Sequence, residues 1–78
     1  MGEVHHFDAG DLGCASGLPK QFLARIRAIP VGDLLRTVVA DPAAREDLPA
    51  LARMLGQPVQ SIEQEADGRL AITVERVK

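Results

Sequence analysis

The feature that most constrains the fold is a pair of candidate strands joined by Asp67-Gly68, near the end of the 78-residue chain. An Asp-Gly pair between two apolar segments is a strong signal of a β-hairpin. The segment after it, from Arg69 to Val77, alternates apolar and polar residues, as a strand with one buried face does. The segment before it, from Pro58 to Ala66, changes parity between Val59 and Ile62, which predicts a β-bulge. The chain must therefore contain an antiparallel sheet.

Two other segments have apolar residues at helical spacing, one from about Gly17 to Ile29 and one from about Asp47 to Leu55. Intervals of three and four residues place these side chains on one side of each helix. They are Leu18, Phe22, Ile26 and Ile29 in the first helix, and Leu48, Leu51, Ala52 and Leu55 in the second. Ser16 is the expected N-cap of the first helix. Pro49 places the start of the second near Asp47, because proline disrupts a helix interior.

Two further candidate strands complete the pattern. Val4 to Asp8 is a short mixed segment, whereas Leu34 to Ala40 is apolar on both faces, as a central strand is. Residues 42–46 are expected to form an irregular turn. The order β-α-β-α-β-β predicts an α/β (α+β) two-layer sandwich, with two helices packed on one face of a four-stranded mixed sheet. A chain of this length predicts a single domain over residues 1–78.

Composition excludes several classes of function. The net charge is −2, and basic residues do not cluster, so direct nucleic-acid binding is not expected. No apolar run approaches the ~20 residues of a membrane span. The first residues lack the basic-then-apolar pattern of a signal peptide. We therefore expect a cytoplasmic monomer with no cofactor, no metal site and no membrane association.

Cys14 is the only cysteine, directly ahead of the first predicted helix. A lone cysteine excludes both an intramolecular disulfide and a Cys-x-x-Cys redox pair. The helix-start amides of Ser16, Gly17 and Leu18 would favour a negative charge, so this thiol can be a reactive thiolate. The alternative is a buried cysteine that packs as a small apolar side chain.

Few other residues could assist that thiol. His5 and His6 are the only histidines, and adjacent strand residues point to opposite faces, so they make a poor metal pair. Either could act as a general base for Cys14, although an ordinary role in a strand is the simpler interpretation. Asp8 and Asp11 would raise the pKa of a nearby thiol, and we interpret both as loop-forming residues.

Several short motifs follow one another in a fixed order. They are Asp8, Gly13 and Cys14 before an amphipathic helix, Pro30-Val31-Gly32-Asp33 before an apolar strand, Asp41-Pro42-Ala43-Ala44 followed by Asp47-Leu48-Pro49, Gly56, and the closing hairpin. From about Phe7 to Val77 the chain thereby resembles the TusA/SirA family of small sulfur-carrier proteins, or sulfurtransferases. The signature Cys-Pro-x-Pro of that family reads Cys14-Ala15-Ser16-Gly17 here, so both prolines are absent.

The resemblance implies that Cys14 accepts sulfane sulfur as a persulfide and relays it to a partner protein. It implies a cysteine desulfurase or a rhodanese-like protein as donor. The implied acceptor is a sulfur-relay protein of tRNA thiolation, molybdenum cofactor assembly or sulfur oxidation. Four cations are candidates for a docking face, with a solvated helix surface as the alternative: Lys20, Arg25, Arg27 and Arg53. The altered signature motivates a second hypothesis, a non-catalytic interaction or regulatory domain of the same fold that has lost sulfur transfer.

Overall fold

The computed structural model describes residues 2–10 and 17–78. The elements in chain order are β1 (Val4–Gly10), α1 (Leu18–Ala28), β2 (Leu34–Val39), α2 (Ala44–Met54), β3 (Val59–Gln64) and β4 (Leu70–Glu75). Two helices lie on a four-stranded mixed sheet, which confirms the predicted two-layer fold. Neither helix has the length and apolarity needed to cross a bilayer.

The strands lie in the order β1-β2-β4-β3, with β1 parallel to β2 and the other two pairings antiparallel. The predicted hairpin is confirmed, because the Glu65 amide donates to the Arg69 carbonyl at 2.7 Å. Gly68 has φ 90° in its loop, a conformation that suits glycine. The predicted bulge is also confirmed, as the register of β3 against β4 shifts between Val59 and Ser61.

One apolar core lies between the helices and the sheet. The predicted stripe of the first helix is confirmed, since its four apolar residues are all buried; they are Leu18, Phe22, Ile26 and Ile29. From α2, Leu48 and Ala52 are buried in the same cluster, and Leu51 and Leu55 pack against it partly exposed. The apolar stripes of the two helices therefore share one core with the sheet. This core packs α1 against the sheet that contains β1, the strand that precedes Cys14 in the chain.

The start of α2 differs from the prediction. The helix begins at Ala44 rather than near Asp47, so Pro49 lies inside it and the expected irregular turn is wrong from Ala44 onward. The turn ahead of the helix is made by Asp41, whose Oδ1 accepts the Ala43 amide at 2.9 Å. Proline is tolerated because its side chain is buried in the core, while the helix forgoes only the amide bond to the carbonyl of exposed Arg45.

Thr37 is a polar residue in the middle of this core. It pairs with Phe7 on one side and Ile72 on the other, and it has no accessible surface. Its hydroxyl has no hydrogen-bond partner among the described residues. A buried hydroxyl without a partner reduces stability, because it has lost its bonds to water.

We therefore expect Thr37→Val to raise the free energy of unfolding by about 1 kcal/mol or more, measured by urea denaturation. Thr73→Val is the matched control, since Thr73 lies on the opposite face of the sheet and keeps 9% of its surface exposed. The control should bring no comparable gain. A loss of stability in Thr37→Val would mean that the hydroxyl has a partner in the folded protein.

Candidate functional site

One end of the molecule carries the attachment points of the segment that contains Cys14. Strand β1 ends at Gly10 and α1 begins after Gly17. Because β1 and β2 are parallel, α1 must run back along the sheet, so its N-terminus lies at the end where β1 finishes. The Ala40 amide donates to the Gly10 carbonyl at 3.1 Å and fixes this end of β1 to the end of β2. Cys14 and Ser16 themselves lie outside the described residues.

The start of α1 is formed by a glycine in a left-handed conformation. Gly17 is the N-cap, with φ 95° and ψ 15°, and its carbonyl accepts the Gln21 amide at 3.0 Å. The prediction of Ser16 as the N-cap is therefore wrong, since the helix starts one residue later than that cap requires. Pro19 lies within the first turn, as predicted, and lacks an N–H group, so Leu18 and Lys20 carry the amides there. The first turn has no acidic side chain to oppose an anion.

The four candidate docking cations are exposed, as predicted, but they do not form one cluster. Lys20 lies in the first turn of α1, whereas Arg25 and Arg27 lie in its last turn. Along the helix axis, Lys20 is about 8 Å from Arg25 and about 10 Å from Arg27, at 1.5 Å per residue. Arg53 lies in the last turn of α2. The set therefore divides into one cation near the Cys14 segment and three at the far ends of the helices.

Arg25 has a structural role as well. Its guanidinium lies 4.8 Å from the centroid of the Phe7 ring. A cation over an aromatic face is attracted by the quadrupole of the ring. Arg25 thus helps to hold α1 over β1, and of the four cations it is the one with a visible role in the fold.

Sequence reasoning missed an arginine at the site end of the sheet. Arg69, in the hairpin, donates from Nε to Asp67 at 2.8 Å and lies 3.4 Å from Asp8 through Nη1. Hydrogen bonds from the Arg69 amide and guanidinium lower the pKa of Asp67, and the two carboxylates raise the pKa of Arg69. Asp8 lies in β1, where its Oδ1 also accepts the Gly10 amide at 2.9 Å. The arginine partly neutralises Asp8, one of the two acids expected to oppose thiol ionisation. The other, Asp11, lies outside the described residues.

His5 lies at the other end of the sheet. Its Nε2 is 2.8 Å from Oδ2 of Asp33, in the turn before β2. The bond from His5 and the amide of Glu3 lower the pKa of Asp33. Gly10 lies five positions after His5, about 16 Å along the strand, so His5 is poorly placed to act as a base for a thiol beyond Gly10. His6 is exposed on the opposite face.

Comparisons with known proteins bear on this arrangement. No family model matches the chain. A protein of Archaeoglobus fulgidus described as a "putative sulfur carrier protein" is 40% identical over 48 residues. The crystal structure of the SirA-like protein from Desulfitobacterium hafniense matches 96% of this chain and 99% of its own, with a TM-score of 0.73 and 16% identity. The predicted resemblance to the TusA/SirA family is confirmed.

The two comparisons support different parts of the TusA/SirA-like description. The aligned region with the Archaeoglobus protein spans 62% of that protein and 62% of this chain, so it leaves more than a third of each unmatched. At 16% identity, the SirA-like structure supports the fold alone. The inference of a role in sulfur transfer therefore rests on the Archaeoglobus protein, and the comparison of the fold rests on the SirA-like structure.

Proposed function

We propose that this chain is a sulfur carrier that holds sulfane sulfur as a persulfide on Cys14 and relays it to a partner protein. The observation that carries the proposal is the 40% identity with a relative described as a sulfur carrier. The position of Cys14 adds a chemical argument, because it is the only thiol of the chain and lies three residues before the N-cap Gly17.

The transfer needs no oxidant. The Cys14 thiolate attacks the terminal sulfur of a donor persulfide, a new S–S bond forms, and the donor leaves as a thiolate. An acceptor thiolate then attacks the terminal sulfur held on Cys14, and Cys14 returns as a thiolate. With no second cysteine in the chain, the persulfide cannot be resolved internally into a disulfide. The sulfur therefore remains until another molecule takes it.

The described surroundings favour a thiolate near the start of α1. The first turn carries Lys20 and no acidic side chain. Helix-start amides favour negative charge, and a neighbouring cation adds to the effect. Asp8, the described acid that precedes Gly10 in β1, is engaged by Arg69. These features support a lowered pKa for Cys14, whose thiolate is the form that reacts.

We expect the donor to be a cysteine desulfurase or a rhodanese-like protein, and the acceptor to be another sulfur-relay protein. Lys20 is the candidate docking cation closest in sequence to Cys14. Arg27 and Arg53 lie at the C-terminal ends of the helices. They would contact only a partner large enough to cover these ends as well as the start of α1. Contacts between exposed charges steer association and weaken with salt, so transfer should slow as ionic strength rises.

The proposal predicts that the reduced protein gains one sulfur atom per chain on incubation with a persulfide donor, measured by intact mass. Cys14→Ser should gain none, because no other thiol is present. Lys20→Ala is the matched surface control, and it should load more slowly and reach the same final mass. A second incubation with a reduced acceptor thiol should return the mass to its starting value.

The same experiment separates the two hypotheses. If the wild-type chain gains no sulfur from a cysteine desulfurase supplied with cysteine, or from inorganic polysulfide, then the sulfur-carrier proposal is wrong. A non-catalytic interaction domain would then be the better description. A gain of equal size in Cys14→Ser would also contradict the proposal, because the sulfur would be attached elsewhere.

A further inference from the structure

Three side chains that can bind metals lie together at the end of the sheet opposite the Cys14 segment. They are Glu3, His5 and Asp33, whose nearest ligand atoms all lie within 4.8 Å of one another. Nε2 of His5 is 2.8 Å from Oδ2 of Asp33 and 4.0 Å from Oε2 of Glu3. The sulfur-carrier chemistry proposed above uses none of these groups.

The sheet holds the three side chains on one side. Glu3 directly precedes β1 and is two residues from His5, so in extended backbone the two side chains point the same way. The Leu34 amide donates to the Glu3 carbonyl at 2.8 Å, which fixes Asp33, in the turn before β2, beside Glu3. The Asp33 amide donates to Pro30, and its carbonyl accepts the Arg76 amide. Three backbone hydrogen bonds, two of Asp33 and one of the following Leu34, therefore hold this part of the chain.

The spacing is close to what a small divalent cation needs. Ligand atoms about 2.1 Å from a tetrahedral metal lie roughly 3.4 Å apart. The distance from His5 to Asp33 would widen slightly, and that from His5 to Glu3 would shorten. Glu3 can make the larger movement, because 81% of its side chain is exposed, whereas 16% of Asp33 is exposed. A larger shift of the exposed Glu3 side chain and a small one between His5 and Asp33 are enough to close the set.

We propose that Glu3, His5 and Asp33 form a binding site for a divalent transition metal of the Zn²⁺ type. An imidazole nitrogen favours Zn²⁺ over Mg²⁺ or Ca²⁺, which prefer sites made of oxygen atoms alone. Two carboxylates balance the charge of the ion, and three protein ligands leave one tetrahedral position for water. Asp33 also borders an open depression of about 580 Å³, so solvent reaches this end of the sheet. This inference does not depend on the sulfur-carrier proposal.

The test uses calorimetric titration of the full chain with ZnCl₂, without an affinity tag. All variants carry Cys14→Ser, because a thiolate would bind Zn²⁺ by itself. We expect one Zn²⁺ per chain. Adding His5→Gln should weaken binding at least about tenfold, the effect expected when a ligand is removed. His6→Gln is the matched control, one residue away on the opposite face, and should leave the affinity unchanged.

Asp33→Asn tests the second ligand, and urea denaturation shows whether that variant remains folded. Zn²⁺ should also raise the unfolding temperature of the parent chain and of His6→Gln, but not of His5→Gln, because a metal that binds only the folded state stabilises it by mass action. If His5→Gln and His6→Gln bind Zn²⁺ equally, the proposal is overturned. The same conclusion follows if the parent chain binds no Zn²⁺.

Discussion

Replacing Phe22 by alanine should lower the free energy of unfolding by about 3–5 kcal/mol. Phe22 is one of the two phenylalanines of the chain; it has no accessible surface and lies in the apolar stripe of α1. Truncation removes its apolar contacts and leaves a cavity that the surrounding side chains fill only in part. A chain of 78 residues has a total stability of roughly 4–12 kcal/mol, so this one change could remove most of it.

Urea denaturation followed by circular dichroism measures this loss. Gln21→Ala is the control, since Gln21 is the exposed neighbour in the same helix and its replacement should change stability by no more than about 0.5 kcal/mol. A loss below about 1 kcal/mol in Phe22→Ala would contradict the described core. Because α1 follows the Cys14 segment directly, the variant should also be tested for sulfur loading at a temperature where it remains folded.

Introducing the second proline of the TusA/SirA signature should destabilise this chain. That proline would fall on Gly17, which has φ 95°. Proline is limited to φ near −65°, so it cannot adopt the conformation that starts α1. We expect Gly17→Pro to lower the free energy of unfolding by about 3 kcal/mol or more. The left-handed glycine that starts α1 is therefore incompatible with a proline at this position.

Gly17→Ala is the matched control for this substitution. A Cβ at Gly17 would have no atom of the described residues within 4 Å, so the left-handed backbone is the cost that the structure shows for alanine. Its cost should be about 1–2 kcal/mol. Denaturation of both variants separates the constraint on φ from the effect of adding a side chain. A stable Gly17→Pro variant would instead show that the helix can begin in the conformation that the signature prolines favour.

Much of the fold could be predicted because its signals are local. The stripe of α1 and the Asp67-Gly68 turn each depend on a few neighbouring residues, and both are confirmed. The last segment is a strand, as predicted, but the expectation of one buried face is wrong: residues 70–74 are all buried, because β4 lies between β2 and β3 in the sheet. The start of α2 was wrong because the rule against proline in a helix interior outweighed the turn signal at Asp41. At Pro49 the burial of the ring offsets the missing hydrogen bond, and burial depends on the rest of the fold.

The side-chain partners at the two ends of the sheet could not be predicted for the same reason. Arg69 contacts Asp8 across 61 residues of sequence, and His5 contacts Asp33 across 28. Both contacts depend on which strands are neighbours and in what register, and these long-range pairings follow from the assembled core. For the candidate site, the thiol and the helix that follows it could be predicted from the sequence. The left-handed conformation of Gly17 at the start of that helix could not, and it is seen only in the structure.

The strand order also fixes when this protein can become folded during its synthesis. Strand β4 lies between β2 and β3, yet it is the last strand to be made, some thirty residues after β2. Until residues 70–75 have emerged from the ribosome, β3 has no strand to pair with and one edge of β2 is open. Long-range pairings of this kind form slowly, because a long loop must close first. The Cys14 thiol is thus translated well before β4, and the sheet beneath the helix that follows it is complete only once β4 has emerged.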